Sequence, residues 1–315
     1  MTDDTATLVN ESQIAARPWV RDMAPWAFGG AMLLSAALVF SLQPMFAKMV
    51  LPRVGGGAAV WTVALVFFQG ALLAGYSYAH FLTSRLSLPR QIGIHACVLA
   101  LAGFFLPVAV ANGFDAPPDS GQGMWLIALF AVSVGAPFAA VSATAPLLQS
   151  WFARTGRADA GDPYYLYGAS NAGSLAALLA FPLLMEPNLG AHAQSIAWSF
   201  GFALLALAIM GCAYLVWRVG PAARAPAQAA VAAATSWRER GKWAALGLLP
   251  SALLVAATTH ITTDVASAPL LWVIPLALYL SAFILAFSHR TWVPARISSL
   301  AMPLLAAVTL VIGWT

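Results

Sequence analysis

A chain of 315 residues of which 61% are hydrophobic and only 8% charged, with a mean hydropathy of +0.81, excludes an ordinary soluble domain and implies an integral membrane protein. Its formal net charge of +4 is read by position, because basic residues sorted to one side of a bilayer report orientation and not nucleic-acid binding. Two cysteines, with no HExxH or CxxC spacing, point to no disulfide framework, metal site or cofactor.

Residues 1–25 are mixed and polar, lack the pattern of a signal peptide, and read as a cytoplasmic tail. Nine apolar stretches follow, each near the roughly 20 residues that a spanning helix needs. They run Trp26 to Val50, Ala59 to Leu82, Gln91 to Ala111, Met124 to Gln149, Leu166 to Met185, Gln194 to Trp217, Trp243 to Val265, Leu270 to Ser288 and Ala295 to Thr315. The expected fold is an all-α polytopic bundle: six spans over 26–217, a flexible Ala- and Pro-rich cytoplasmic linker over 218–242, and a second bundle of three spans begun over 243–315. The chain stops inside an apolar stretch, which reads as a truncation. With the N-terminus inside, every Lys and Arg except Lys48 and Arg53 falls on the cytoplasmic side, while Asp115, Asp119 and Glu186 fall outside.

In the first span, Gln43, Pro44 and Lys48 lie near the outer end. The Lys48 ammonium either snorkels to interfacial water or pairs with Asp264 across an outer gate, and Pro44 removes a backbone donor where a kink could form. Along the second span Gln69 and Tyr76 are seven apart and share a face, which makes both candidates to line a cavity. Before the fifth span, Asp162 and Pro163 read as an N-cap and first helical position. Ala169 with Gly173 and Ser170 with Ser174 then form small-residue pairs that admit a close neighbour. Asn171 between them either lines a pore or makes an interhelical hydrogen bond in a packed seam.

The segment Thr258 to Asp264, TTHITTD, places an imidazole and a carboxylate four residues apart among hydroxyls. Intramembrane ionisable groups are functional candidates. Counted from Trp243 at about 1.5 Å per residue, His260 lies about 26 Å along a core of about 30 Å, near its outer edge. His260, Thr263 and Asp264 therefore read either as an outward vestibule or as a polar helix end; no nucleophile or metal stands beside them to suggest catalysis. A faint repeat aligns Trp61 with Trp272, and Gln43 and Lys48 with His260 and Asp264, the pattern of a transport pathway built from two halves.

Four segments carry a family resemblance: SLQPMFAKMVLP (Ser41 to Pro52), VWTVALVFFQGALLAGYSYAH (Val60 to His80), APLLQSWFARTG with DPYYLYGASNAGSL (Ala145 to Leu175), and TTHITTDVASAPLLWVIPLALYL (Thr258 to Leu280). Together they resemble the membrane portion of bacterial spermidine-synthase-like proteins, in which a facilitator-like membrane region is fused to a cytosolic aminopropyltransferase-type domain. The resemblance implies a multi-pass protein of the bacterial inner membrane and either a transporter-like module for a polyamine or other small cation, or a non-transporting anchor for a synthase-type domain. That catalytic domain has no counterpart here, since the Gly55 to Gly57 cluster lacks the strand and acidic residue of a nucleotide-binding turn. No catalytic residue is carried over.

Overall fold

The computed structural model describes residues 18–55, 58–155, 157, 160, 164–219, 236–260, 273–286, 294, 296–297, 299–301 and 304. The regular elements among them are helical. Among the described residues six helical segments are long and apolar enough to cross a bilayer: Asp22–Val54, Val60–Arg85, Gln122–Phe152, Tyr165–Asn188, Ala191–Val219 and Trp237–Thr258. The chain is thus a multi-pass helical membrane protein in its architecture, with apolar surface that only lipid or other protein would satisfy.

Helix α1, Pro18–Val54, is the centre of the bundle. Its 37 residues span about 55 Å at 1.5 Å per residue, well beyond the hydrocarbon core. Pro44 does not interrupt it. Helix α2, Ala58–Arg85, runs back, and α3, Leu88–Gly103, begins after a two-residue connection with Pro89 in its first turn. The fourth span is composite: α4 (Gln122–Phe130), a π-helical turn (Ala131–Gly135), α5 (Ala136–Ser142) and α6 (Thr144–Phe152). The fifth comprises α7 (Tyr164–Ala180), a second π-helical turn (Phe181–Met185) and the short α8 (Glu186–Asn188). Helices α9 (Ala191–Val219), α10 (Trp237–His260) and α11 (Val273–Ala286) complete the order.

Close approach of backbones holds α1 to its neighbours. A Cβ placed on Gly173 of α7 would overlap the carbonyl oxygen of Leu33, so the expected small-residue seam exists and α1 fills it. On another side, Trp198 of α9 donates its indole N–H to the Leu38 carbonyl at 3.0 Å, and Gly201 accommodates the Leu38 side chain. The Ser35 hydroxyl of α1 donates to the Val141 carbonyl of α5 at 3.2 Å. In lipid, where apolar tails compete equally for apolar side chains, such packing and hydrogen bonds carry helix association. Phe46, Phe67, Phe68, Phe130 and Phe138 interlock at ring-centroid separations of 4.9 to 5.4 Å and join α1, α2, α4 and α5.

The two ends of the bundle differ in charge. Arg85, Arg90, Arg154, Arg157 and Arg218 close or open helices at the end where Phe28, Phe152 and Tyr165 stack. Lys48, Glu186, Asp115 and Asp119 belong to the other. At the first end Gln91 of α3 ties the α2–α3 connection to α6, donating to the Leu86 carbonyl at 2.8 Å and accepting from the Trp151 indole at 2.9 Å. Arg154 follows α6 there; partial burial pushes its guanidinium down from the ordinary arginine value, though the group stays charged at neutral pH.

Of the nine expected spans, six correspond to these segments; the other three differ in kind. The third is a 16-residue helix that stops at Gly103, and the apolar residues after it form an irregular cap. That cap is tied down by Ser195, donating to the Val108 carbonyl at 2.6 Å, and by the Ala111 N–H, donating to Ser133 Oγ at 3.0 Å. Side-chain partners of this kind are what irregular backbone needs near lipid. The eighth expected span is the 14-residue α11, packed on α7 through Leu178, Val273 and Leu280. Most of the ninth, like Trp272 of the proposed repeat, lies outside the described residues.

Candidate functional site

Lys48, five residues beyond Gln43 on α1, forms an ion pair with Glu186, the first residue of α8. The two side chains are 39% and 35% exposed, so the pair is neither a free surface contact nor fully desolvated. The Lys48 ammonium donates to Glu186 Oε1, while Oε2 is buried without a hydrogen-bond partner among the described residues. A carboxylate so placed has acceptor capacity left for one more cation or donor. Glu186 stands here because Phe181–Met185 is a π turn, which holds an extra residue and redirects the side chains that follow; such turns recur at functional sites.

Glu186 is the residue that sequence reasoning placed in an outer loop and did not single out. Its signals were local: an acid ending an apolar run, flanked by Pro182 and Pro187. Its partner lies 138 residues away, beyond the reach of any periodicity. Asp264, the expected partner of Lys48, lies outside the described residues, as does Thr263.

A second polar grouping lies between the second and fifth spans. Tyr76 of α2 comes within electrostatic range of Tyr167 of α7, and the two are 46% and 40% exposed. Asn171 extends the grouping by one turn, but its amide donates to the Tyr167 carbonyl of its own helix at 2.9 Å. The interhelical hydrogen bond expected of Asn171 is therefore replaced by an intrahelical one: the neighbouring Gly173 faces α1, which turns the amide out of that seam. Gln69 shares the face of Tyr76 and is exposed, and Gln43 is partly buried on α1. The structure thus brings Lys48 to Glu186, sets Tyr76 within electrostatic range of Tyr167, and turns the Asn171 amide onto its own helix.

His260 is the last residue of α10 and is exposed. The helix starts at Trp237, six residues earlier than the apolar run suggests, because Ser236 and Glu239 form a capping box. The Glu239 N–H donates to Ser236 Oγ at 3.2 Å and the Ser236 N–H to Glu239 Oε2 at 3.0 Å. With that start, His260 is the twenty-fourth residue of α10, and residues 261–272 lie outside the described residues.

Among the described residues no three His, Cys, Asp or Glu side chains gather as a metal set. Comparison with family models, with curated proteins and with solved structures finds no match to this chain.

Proposed function

We propose that the chain is a transporter-like membrane module of facilitator-like architecture, with the Arg-rich end in the cytoplasm of a bacterial cell, handling a small organic cation of the polyamine class. The observation that carries this reading is the Lys48–Glu186 pair with its unpartnered Oε2. An incoming ammonium group has the charge and donors to take the place of Lys48 on that carboxylate. Exchange of one ammonium for another keeps the carboxylate paired throughout, which avoids the cost of a lone charge at the membrane edge.

The rest of the site is arranged in support. Gln43 precedes Lys48 on the same helix, and the TTHITTD segment with His260, Thr263 and Asp264 supplies further polar groups by sequence. Tyr76, Tyr167 and Asn171 offer hydroxyl and amide groups further along α2 and α7, with Gln69 as a further polar group on the same face of α2 as Tyr76. Helix α11 packed on α7 supports the start of a second bundle against the first. The resemblance of the four quoted segments to the membrane region of spermidine-synthase-like proteins supports the substrate class alone.

The test is uptake of labelled putrescine and spermidine by the purified chain in liposomes, with and without a proton gradient. Saturable uptake that Glu186→Gln abolishes supports the reading. No uptake of any polyamine under either condition overturns it and leaves the membrane region as an anchor for a cytosolic synthase-type domain.

A further inference from the structure

On the flank of the bundle, an open groove of about 490 Å³ is lined by Ile92 of α3 and by Met210, Ala213, Tyr214, Trp217 and Arg218 of α9. Five of these six residues come from α9 at positions 210, 213, 214, 217 and 218, a spacing that puts them on one helical face. The volume falls in the range of about 300–1,000 Å³ typical of small-molecule sites. Its chemistry is graded along the helix. Ile92, Met210 and Ala213 make an apolar floor; Tyr214 and Trp217, 49% and 42% exposed, form a rim; and Arg218 stands at the Arg-rich end.

Arg218 is held in place. Its Nε donates to Tyr214 Oη at 2.8 Å and its guanidinium carbon lies 5.0 Å above the centre of the Tyr214 ring. Tyr214 occupies one edge of the guanidinium fork, so the donors of the other edge are those available to a ligand, and a guanidinium edge matches a phosphate in a bidentate manner. Arg90 and the positive N-terminal end of α3 lie at the same end of the bundle.

We infer that this groove is a binding site for an anionic phospholipid, with the headgroup phosphate on Arg218 and one acyl chain along Ile92, Met210 and Ala213. A free phosphate would have no use for the apolar floor, and a zwitterionic lipid would bring a cation next to Arg218. The inference rests on the membrane architecture and is independent of what, if anything, the chain transports.

The test is native mass spectrometry of the full chain, delipidated in detergent and titrated with phosphatidylglycerol or with phosphatidylcholine of the same acyl composition. One interfacial arginine contributes about a fivefold preference for the anionic lipid, and that preference is the expected result. Arg218→Gln brings the two lipids to parity, Met210→Trp fills the groove and weakens both, and Arg240→Gln on α10 changes neither. Arg218→Lys, which keeps the charge without the fork, retains part of the preference and guards against a folding defect in Arg218→Gln. Parity of the two lipids on the wild-type chain, or a preference that survives both Arg218→Gln and Met210→Trp, overturns the site. Full displacement of the lipid by millimolar inorganic phosphate also overturns it, in favour of a free-phosphate site.

Discussion

Gly173 of α7 rests against the carbonyl of Leu33 on α1, with no room between them for a methyl group. The nearest atoms belong to backbone, which cannot rotate away as a side chain can. Gly173→Ala is therefore expected to destabilise the bundle by about 3 kcal/mol, read as a fall in detergent melting temperature. Gly168→Ala on the same helix, where an added Cβ meets nothing within 4 Å, is the control and should leave the melting temperature unchanged or raise it. Equal effects of the two changes would refute the seam.

The ion pair at the opposite end makes a kinetic prediction. Lys48→Met removes the resident ammonium from Glu186, so the apparent KM for a polyamine should fall several-fold while the maximal rate falls as well, because nothing remains to displace the substrate. Glu186→Gln should abolish uptake. Glu186→Gln should melt close to the wild type, since a partly exposed ion pair contributes about 0–1 kcal/mol, whereas Lys48→Met, which leaves the carboxylate without its base, should melt lower. A Lys48→Met variant whose KM rises would show that the lysine recruits the substrate and does not compete with it.

Gln91 satisfies two groups at once, the Trp151 indole and the Leu86 carbonyl. Gln91→Leu leaves the buried indole N–H unpaired and should cost about 1–3 kcal/mol. Trp151→Phe in the Gln91→Leu background should cost less than in the wild type, because the indole donor has already lost its partner; a double-mutant cycle in thermal unfolding reads the coupling.

His95 presents the reverse case. It is fully buried, its Nε2 has no hydrogen-bond partner among the described residues, and its Nδ1 lies 3.5 Å from Tyr78 Oη, at the edge of hydrogen bonding. Exchanging the ring for an apolar side chain removes an unsatisfied polar atom, so His95→Leu should leave the melting temperature unchanged or raise it. A fall of more than about 2 kcal/mol in stability would show a stronger polar role for the ring.

Much of the membrane architecture is legible in the sequence because hydropathy over about 20 residues is a local property. The spans built on α1, α2, α7 and α9 lie where the apolar runs lie, and the Ala169–Gly173 spacing foretells a tight seam. The failures have physical causes. Hydropathy does not register backbone breaks: the third apolar run continues through Gly103 and Pro107 to Ala111, whereas the helix ends at Gly103. It also stops at charged residues, whereas a capping box extends α10 back to Trp237. Pairing is long-range information, and Glu186 as the partner of Lys48 could not be read from spacing; nor could the turn of the Asn171 amide onto its own helix, which depends on Gly173 facing α1.

The π turn at Phe181–Met185 makes the bearing of Glu186 a matter of counting residues. Each residue of an α-helix advances the azimuth by about 100°, so removing one from this turn would swing the carboxylate away from Lys48 with no change in any side chain. The register of the main chain, more than the identity of its neighbours, keeps that acid facing its base.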